Sequence, residues 1–273
     1  MMRITETVKQ LIIINVIFFI GSYLVGPAAQ TYLVAHSVCN DQFHYWQLIT
    51  RMFMHAGFLH LLFNMFALFS FGGLLEEVWG PRKFIFFYLS CGLGAAAMHL
   101  GINYLEISYY LKDAADLNLS SDAIHQILNV DFSDGAYFKG DLFQKEIVPI
   151  ISKEGKLQLL NSENFSALFQ AAIANHETAS GASGAIYGIL VAFAFIVPNA
   201  ELMMMFVPIP IKAKYFVPGI LALDLFLGVK GQSIFGGATT DNVGHFAHLG
   251  GALIGFIMMW YWKKNEFNNN RWN

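Results

Sequence analysis

Apolar residues along this chain gather into six long runs separated by polar, charged or glycine-rich stretches. The runs are approximately Gln10–Pro27, Leu59–Leu75, Phe84–Leu105, Gly184–Pro198, Tyr215–Val229 and Phe246–Trp262. The first, third and sixth approach the ~20 residues that carry a helix across about 30 Å of hydrocarbon. The fourth and fifth are shorter, and the flanking Gly181–Ser183 extends the fourth. Lipid offers backbone amides no water, so runs of this kind fold as helices. The pattern predicts an all-α, polytopic membrane protein built as a bundle of six transmembrane helices. Arg3 and Lys9 precede the first run, as in a signal peptide. No clear small-residue cleavage signal follows and five more runs do, so this run is read as a retained span.

Positive charge alternates between the connecting segments. Arg3 and Lys9 lie before the first run, Arg82 and Lys83 between the second and third, and Lys212 and Lys214 between the fourth and fifth. Lys263, Lys264 and Arg271 follow the sixth. Close to the spans the intervening loops carry few positive charges, Arg51 in the first and Lys230 in the last. The excess of Lys and Arg on the cytoplasmic side predicts that both termini are cytoplasmic. Six spans satisfy that alternation, whereas five or seven break it.

Composition agrees with the pattern. Of 273 residues, 56% are hydrophobic and 13% charged, against about 25% charged in an average soluble domain. The formal charge of −3 shows no basic excess, so nothing points to nucleic acid. Cys39 and Cys91 form no disulfide framework and read as two reduced thiols. The stretch Glu106–Thr178 differs in kind, with eleven acidic residues against five lysines, which suits an external loop. Within it, Asn164–Ala174 predicts a helix with Phe165, Leu168, Phe169, Ala172 and Ile173 on one face and Asn164 as its cap. That face has three possible destinations: the lipid interface, the spans, or a small extramembrane subdomain. The first half, Asp113–Asp134, is expected to be more mobile.

Polar residues at membrane depth are costly unless they face protein or water, and four short clusters stand out. His55, His60 and Asn64 open the second run, the last two sharing one helix face four residues apart. Gly181, Ser183 and Tyr187 open the fourth. His245 and His248 open the sixth, followed by Gly251 and Gly255, and Glu76 precedes Gly80 at the end of the second. The charge argument used none of His60, Asn64, Ser183 and His248, yet it places all four on the same side of the membrane. A serine hydroxyl is a poor nucleophile until a base takes its proton, and a neutral imidazole such as His248 serves. An anionic intermediate needs preorganised donors, which His60, Asn64 and the Ser183 backbone N–H are able to supply. Beside His248 the nearest carboxylate in sequence is Asp241, seven residues before it, so a Ser–His dyad is the simpler reading. Ser183 as a small packing residue, and His248 as a packing histidine or a haem or metal ligand, are the alternatives. The histidines lack the His-Glu-x-x-His spacing of zinc proteases. Gly184/Gly188 and Gly251/Gly255 are small-xxx-small pairs that permit close helix approach.

These motifs together resemble the rhomboid family of intramembrane serine proteases: His55-x-x-x-x-His60-x-x-x-Asn64, Glu76-x-x-x-Gly80, Gly181-x-Ser183-Gly184 and Ala247-His248-x-Gly250-Gly251-x-x-x-Gly255, in that order. The resemblance implies Ser183 as nucleophile, His248 as general base, and His60, Asn64 and the Ser183 amide as oxyanion donors. It further implies that Tyr187 packs on the His248 ring, that Gly251 and Gly255 admit the serine helix, and that Glu76 anchors a hydrogen-bond network. It implies one rhomboid-like membrane domain over residues 1–273, with 106–178 inserted externally between the third and fourth helices. No cofactor or metal is implied. The expected partners are membrane lipids and single-span or polytopic membrane-protein substrates, in a bacterial inner membrane, with the active site opening externally. Many members carry Trp-Arg in the first loop, where this chain has Trp46-Gln47 with Arg51 one turn on. A catalytically inactive scaffold that binds membrane helices, and a small-solute transporter, are the competing classes.

Overall fold

The computed structural model describes residues 4–135, 137–204, 207–230 and 242–269; Arg3, Asp241 and Arg271 lie outside them. The chain divides into two compact units, one of residues 1–34, 46–99 and 179–273, the other of 35–45 and 100–178.

Each of the six apolar runs coincides with a helix. Helix α1 spans Glu6–Val25, followed by short α2 (Pro27–Leu33) and α3 (Gln47–Thr50). Helix α4 (Phe58–Ala67) passes through a π turn, Leu68–Gly72, into α5 (Gly73–Trp79), so that 22 continuous residues form the second span. Helix α6 is the long Pro81–Asp113. Glu6–Val25, Phe58–Trp79 and Pro81–Asp113 are long and apolar enough to cross a membrane. The second unit adds α7 (Ser121–Leu128), α8 (Gly140–Lys153) and α9 (Ser162–His176). The first unit resumes with α10 (Ser183–Ile196), shorter at 14 residues, then α11 (Ala213–Lys230) and α12 (Asn242–Asn269). A small antiparallel hairpin pairs Glu201–Met204 with Val207–Lys212 ahead of α11, an element the helical pattern does not predict.

On α1 only Val8, Leu11 and Asn15 are buried, while Ile17, Ile20 and Leu24 are exposed, Leu24 at 82%. A face so apolar faces hydrocarbon rather than water; this is an integral membrane protein. The inward face joins a core of Leu61, Leu68, Leu75, Phe84, Phe87, Tyr88, Ala185 and Ile189. The start of α1 is held by Glu76, whose carboxylate accepts hydrogen bonds from the Thr7 and Val8 amides at 3.0 Å and from the Thr5 hydroxyl. A carboxylate on a neighbouring helix thus satisfies orphan N–H groups of the first turn and opposes the helix dipole. In the first loop, Trp46 Nε1 donates to the Tyr32 carbonyl at 2.8 Å and fully buried Gln47 donates to Thr31 at 3.2 Å. A neutral amide therefore fills the position after the tryptophan.

Helices α6, α10 and α12 meet along small residues. A Cβ on Gly251 would overlap the Gly184 carbonyl, one on Gly255 would lie 2.8 Å from Gly188 Cα, and one on Gly184 would overlap Ala95. A Cβ on Gly250 would come 2.7 Å from the Gly94 carbonyl. Backbones this close leave no room for a side chain.

The second unit has its own core. Phe143, Ile147 and Ile151, at four-residue spacing on α8, pack with Ile127 of α7, Phe132, and Ala167, Leu168 and Ala172 of α9. The Phe143 ring lies 5.0 Å from Phe132 and 5.3 Å from Phe169. The apolar face of α9 is thus covered within this unit, by residues of the same acidic stretch. The stretch Asp113–Asp134, expected to be more mobile, contains a helix and buried side chains: α7 is capped by Ser120, whose Oγ accepts from the Ala123 amide at 3.1 Å, and Ala123, Ile127 and Phe132 are buried. The cap of α9 is also corrected. Asn161 accepts from the Glu163 and Asn164 amides, while Asn164 reaches back to the Asn161 amide, a reciprocal capping box that starts the helix two residues before Asn164.

Gly251→Val is expected to lower stability by about 1–3 kcal/mol or more through overpacking, whereas Gly101→Ala, with open space around it, leaves the thermal midpoint near the parent's. Equal midpoints for the two variants would contradict the close seam.

Candidate active site

Helix α10 begins at Ser183, after Gly181 with φ +114° and Ala182 in helical conformation. The Gly181 amide donates to the Arg51 carbonyl at 2.9 Å, pinning this turn to the first loop. The first intrahelical acceptor is Ala182, which takes the Ile186 amide at 3.1 Å. By helix geometry the amides of Ser183, Gly184 and Ala185 have no partner one turn back, so the partial positive end of α10 lies at the serine.

From α12, His248 places Nε2 2.9 Å from Ser183 Oγ. With the ring proton on Nδ1, the hydroxyl donates to Nε2. The Tyr187 ring stacks on the His248 imidazole at 4.2 Å between centroids and 9° between planes, which fixes the plane of the ring. The two contacts come from residues four apart on α10, so one face of that helix both meets the His248 ring and holds it. Both depend on the seam, since Gly184 and Gly188 on α10 meet Gly251 and Gly255 on α12.

His60 stands on the other side of Gly181. A Cβ on Gly181 would lie 2.8 Å from His60 Nε2 and 3.6 Å from Ser183 Oγ, so the imidazole and the hydroxyl flank the same point. His60 also packs edge-on against buried His55, at 5.0 Å between centroids. Asn64 is buried one turn further along α4 and donates to the His60 carbonyl at 2.9 Å, which uses one of its two amide hydrogens. Ser183, His248, Tyr187, Gly181 and His60 are therefore brought together, with Gly251 and Gly255 in the seam beneath them. Asn64 lies along the His60 helix, and Glu76 stands apart, at the start of α1.

Sequence reasoning missed one residue beside His248. Asp224, on α11, has a side chain only 5% exposed; its Oδ1 lies 2.7 Å from His245 Nδ1 and its Oδ2 3.4 Å from His248 Nδ1. The reading of Asp241 as the carboxylate nearest His248 is therefore corrected: in space it is Asp224 that stands beside the imidazole. The signal was present: Asp224 is the acidic residue within the apolar run Tyr215–Val229, and an ionisable group inside a span is by default a functional candidate. It lies far from both histidines in sequence, so no local motif exposes it. Asp224, His245 and His248 also present ligand-type atoms within 4.8 Å of one another; the hydrogen bond between His245 and Asp224 accounts for part of that closeness.

The sequence profile of the Rhomboid domain matches residues 42–109 and 157–265. The chain belongs to the rhomboid family. The match skips residues 110–156, which hold α7 and α8 of the second unit, and includes α9. An uncharacterized mitochondrial rhomboid protein of Schizosaccharomyces pombe is 25% identical over 81% of this chain and 53% of its own length. Rhomboid protease AarA of Providencia stuartii is 28% identical over 56% of each chain. Putative rhomboid protease YdcA of Bacillus subtilis is 43% identical over 18% of this chain and a quarter of its own. The chain thus spans about half or less of the length of these curated relatives. Rhomboid relatives from bacteria and mitochondria both occur among them, so kinship alone does not select the membrane.

Gly181→Ala is expected to destabilise the protein by about 1–3 kcal/mol, because a non-glycine residue is strained at this φ and its methyl meets the His60 ring. Chemical unfolding in detergent reads this directly, and an unchanged midpoint would contradict the described turn.

Proposed function

We propose that this rhomboid is an active intramembrane serine protease that hydrolyses peptide bonds in or beside the transmembrane segments of other membrane proteins. The observation that carries the reading is the 2.9 Å approach of His248 Nε2 to Ser183 Oγ, between residues 65 apart on two helices locked by glycine contacts. In this reading His248 takes the Ser183 proton as Oγ attacks the substrate carbonyl carbon. The carbonyl π electrons move to oxygen, and the oxyanion is held by the Ser183 amide at the α10 N-terminus, by His60, and by the second amide hydrogen of Asn64. His248 then gives its proton to the departing amine as the C–N bond breaks. A water repeats the sequence on the acyl-enzyme, with His248 as base. The substrate helix unwinds locally so that its carbonyl reaches Ser183, a requirement because helical carbonyls are already hydrogen-bonded.

The topology proposed with this reading follows from charge: both termini are cytoplasmic, and Ser183, His60 and His248 lie toward the opposite face, which admits water. The competing scaffold reading predicts binding of transmembrane helices without turnover. Both Ser183 and His248 are present and in contact, an arrangement a pure scaffold does not need.

Two assays on a fluorogenic transmembrane substrate test the proposal. Ser183→Ala is expected to abolish turnover while leaving the protein folded and able to bind substrate, since a small residue replaces a small one; turnover at the parent rate would refute the serine mechanism. Asn64→Ala is expected to lower kcat by about 10²–10³-fold, the size of one lost oxyanion donor, and an effect confined to KM would remove Asn64 from that role.

A further inference from the structure

An ionised carboxylate inside an apolar bundle is costly unless it is paired. Asp224 is buried on α11, whose neighbours Leu223, Leu225 and Phe226 are exposed. Its partners lie on other helices: His245 and His248 on α12, and Tyr187 on α10, whose hydroxyl interacts with the carboxylate. The helices are brought close at Gly228, one turn beyond Asp224 on the same face of α11. A Cβ there would lie 3.2 Å from His245 Cβ and 3.3 Å from the Phe246 ring. A short side chain such as aspartate therefore reaches the histidines directly.

The two carboxylate oxygens have different tasks. Oδ1 is engaged by His245 Nδ1 at 2.7 Å, a strong hydrogen bond that sets the rotation of the carboxylate. Oδ2 is then turned toward His248 Nδ1 at 3.4 Å. At that separation neither His248 Nδ1 nor Asp224 Oδ2 completes a hydrogen bond among the described residues, so a donor position and an acceptor face each other with no other partner between them. That geometry bears on the tautomer. His248 accepts a proton from Ser183 only if Nε2 is bare and Nδ1 carries the hydrogen, and an acceptor facing Nδ1 selects that form.

We propose that Asp224 is a positioning residue for the reaction, acting through His248, and that His245 in turn orients Asp224, so that a four-membered chain Ser183–His248–Asp224–His245 replaces an isolated dyad. The inference rests on the serine-protease reading of the site. As Ser183 Oγ–H is lost to Nε2 and the Oγ–C bond forms, His248 carries N–H on both nitrogens and a positive charge. Asp224 stays ionised, accepts from Nδ1–H and offsets that charge, tightening the 3.4 Å contact as the imidazolium forms. The proton on Nε2 leaves with the amine, so Asp224 gains and loses none. An asparagine there would present an amide hydrogen to Nδ1 and favour the tautomer with Nε2–H, which is unable to accept from serine.

The test compares the full-length parent with Asp224→Asn, Asp224→Glu, Ser183→Ala and His248→Ala on one fluorogenic transmembrane substrate, with thermal unfolding alongside. Asp224→Asn is expected to lower kcat by about 10²–10⁴-fold with KM within about twofold and an unfolding midpoint near the parent's. Asp224→Glu, which keeps the carboxylate, is expected to recover at least about tenfold of that loss. A kcat for Asp224→Asn equal to the parent's, with Ser183→Ala and His248→Ala inactive, overturns this inference and leaves the serine mechanism standing. Equal losses in Asp224→Asn and Asp224→Glu that follow a fallen midpoint also overturn it, assigning Asp224 to folding. Turnover in Ser183→Ala removes the serine mechanism and the inference with it. If Asp224→Asn does not fold, His245→Ala carries the test: releasing Oδ1 is expected to lower kcat about tenfold at unchanged KM, and an unchanged kcat overturns the proposal.

Discussion

Gly184 and Gly188 of α10 meet Gly251 and Gly255 of α12 so closely that one methyl group on Gly251 would occupy the place of the Gly184 carbonyl, and the polar contacts nearby inherit that spacing. Between helices in lipid there is no hydrophobic driving force to exploit, because the surrounding chains are as apolar as leucine. Association rests on backbone proximity and on the few polar contacts that proximity allows. A serine and an imidazole have short side chains, and Tyr187 stacks on the ring only at van der Waals distance. Moving the helices apart by one side chain would break the Ser183–His248 hydrogen bond and the stacking together. The same requirement reaches α6, where Ala95 backs Gly184 and Gly94 faces Gly250.

A second constraint follows from placing polar groups in such a bundle. Each must be satisfied by protein or water, and the observed solutions are shared between helices. Glu76 from α5 closes the first turn of α1, and Asp224 from α11 joins two histidines of α12. Each carboxylate therefore ties one helix to another and gains its stability from geometry that the whole bundle sets. The second unit is organised differently, by a phenylalanine cluster around Phe143 and by capped helices.

Most of the bundle was legible in the sequence because hydropathy and small-residue spacing are local signals. The six runs became six helices, with the long second span reading straight through the π turn at Leu68–Gly72. Ser183, His60 and His248 were legible because each opens an apolar run beside glycine. What was not legible depends on tertiary contact. Asp224 sits alone in an apolar run, and only the packing of α11 against α12 brings it to His248. The start of α9 was misplaced because both Asn161 and Asn164 are cap-type residues, and only the reciprocal bonds show which one ends the loop. The structure of Asp113–Asp134 was hidden for a different reason: its acidic composition masks Ile127 and Phe132, which are buried against residues supplied from further along the chain.

In the proposed function, the α10–α12 seam holds a single activated hydroxyl at Ser183. The most direct measurement is mass-spectrometric mapping of the adduct formed when the full-length protein reacts with a fluorophosphonate, which captures an activated serine without any choice of substrate. One adduct is expected, on Ser183, and it is expected to disappear in His248→Ala. An adduct on a different serine, or equal labelling of Ser183 without His248, would contradict the proposed function.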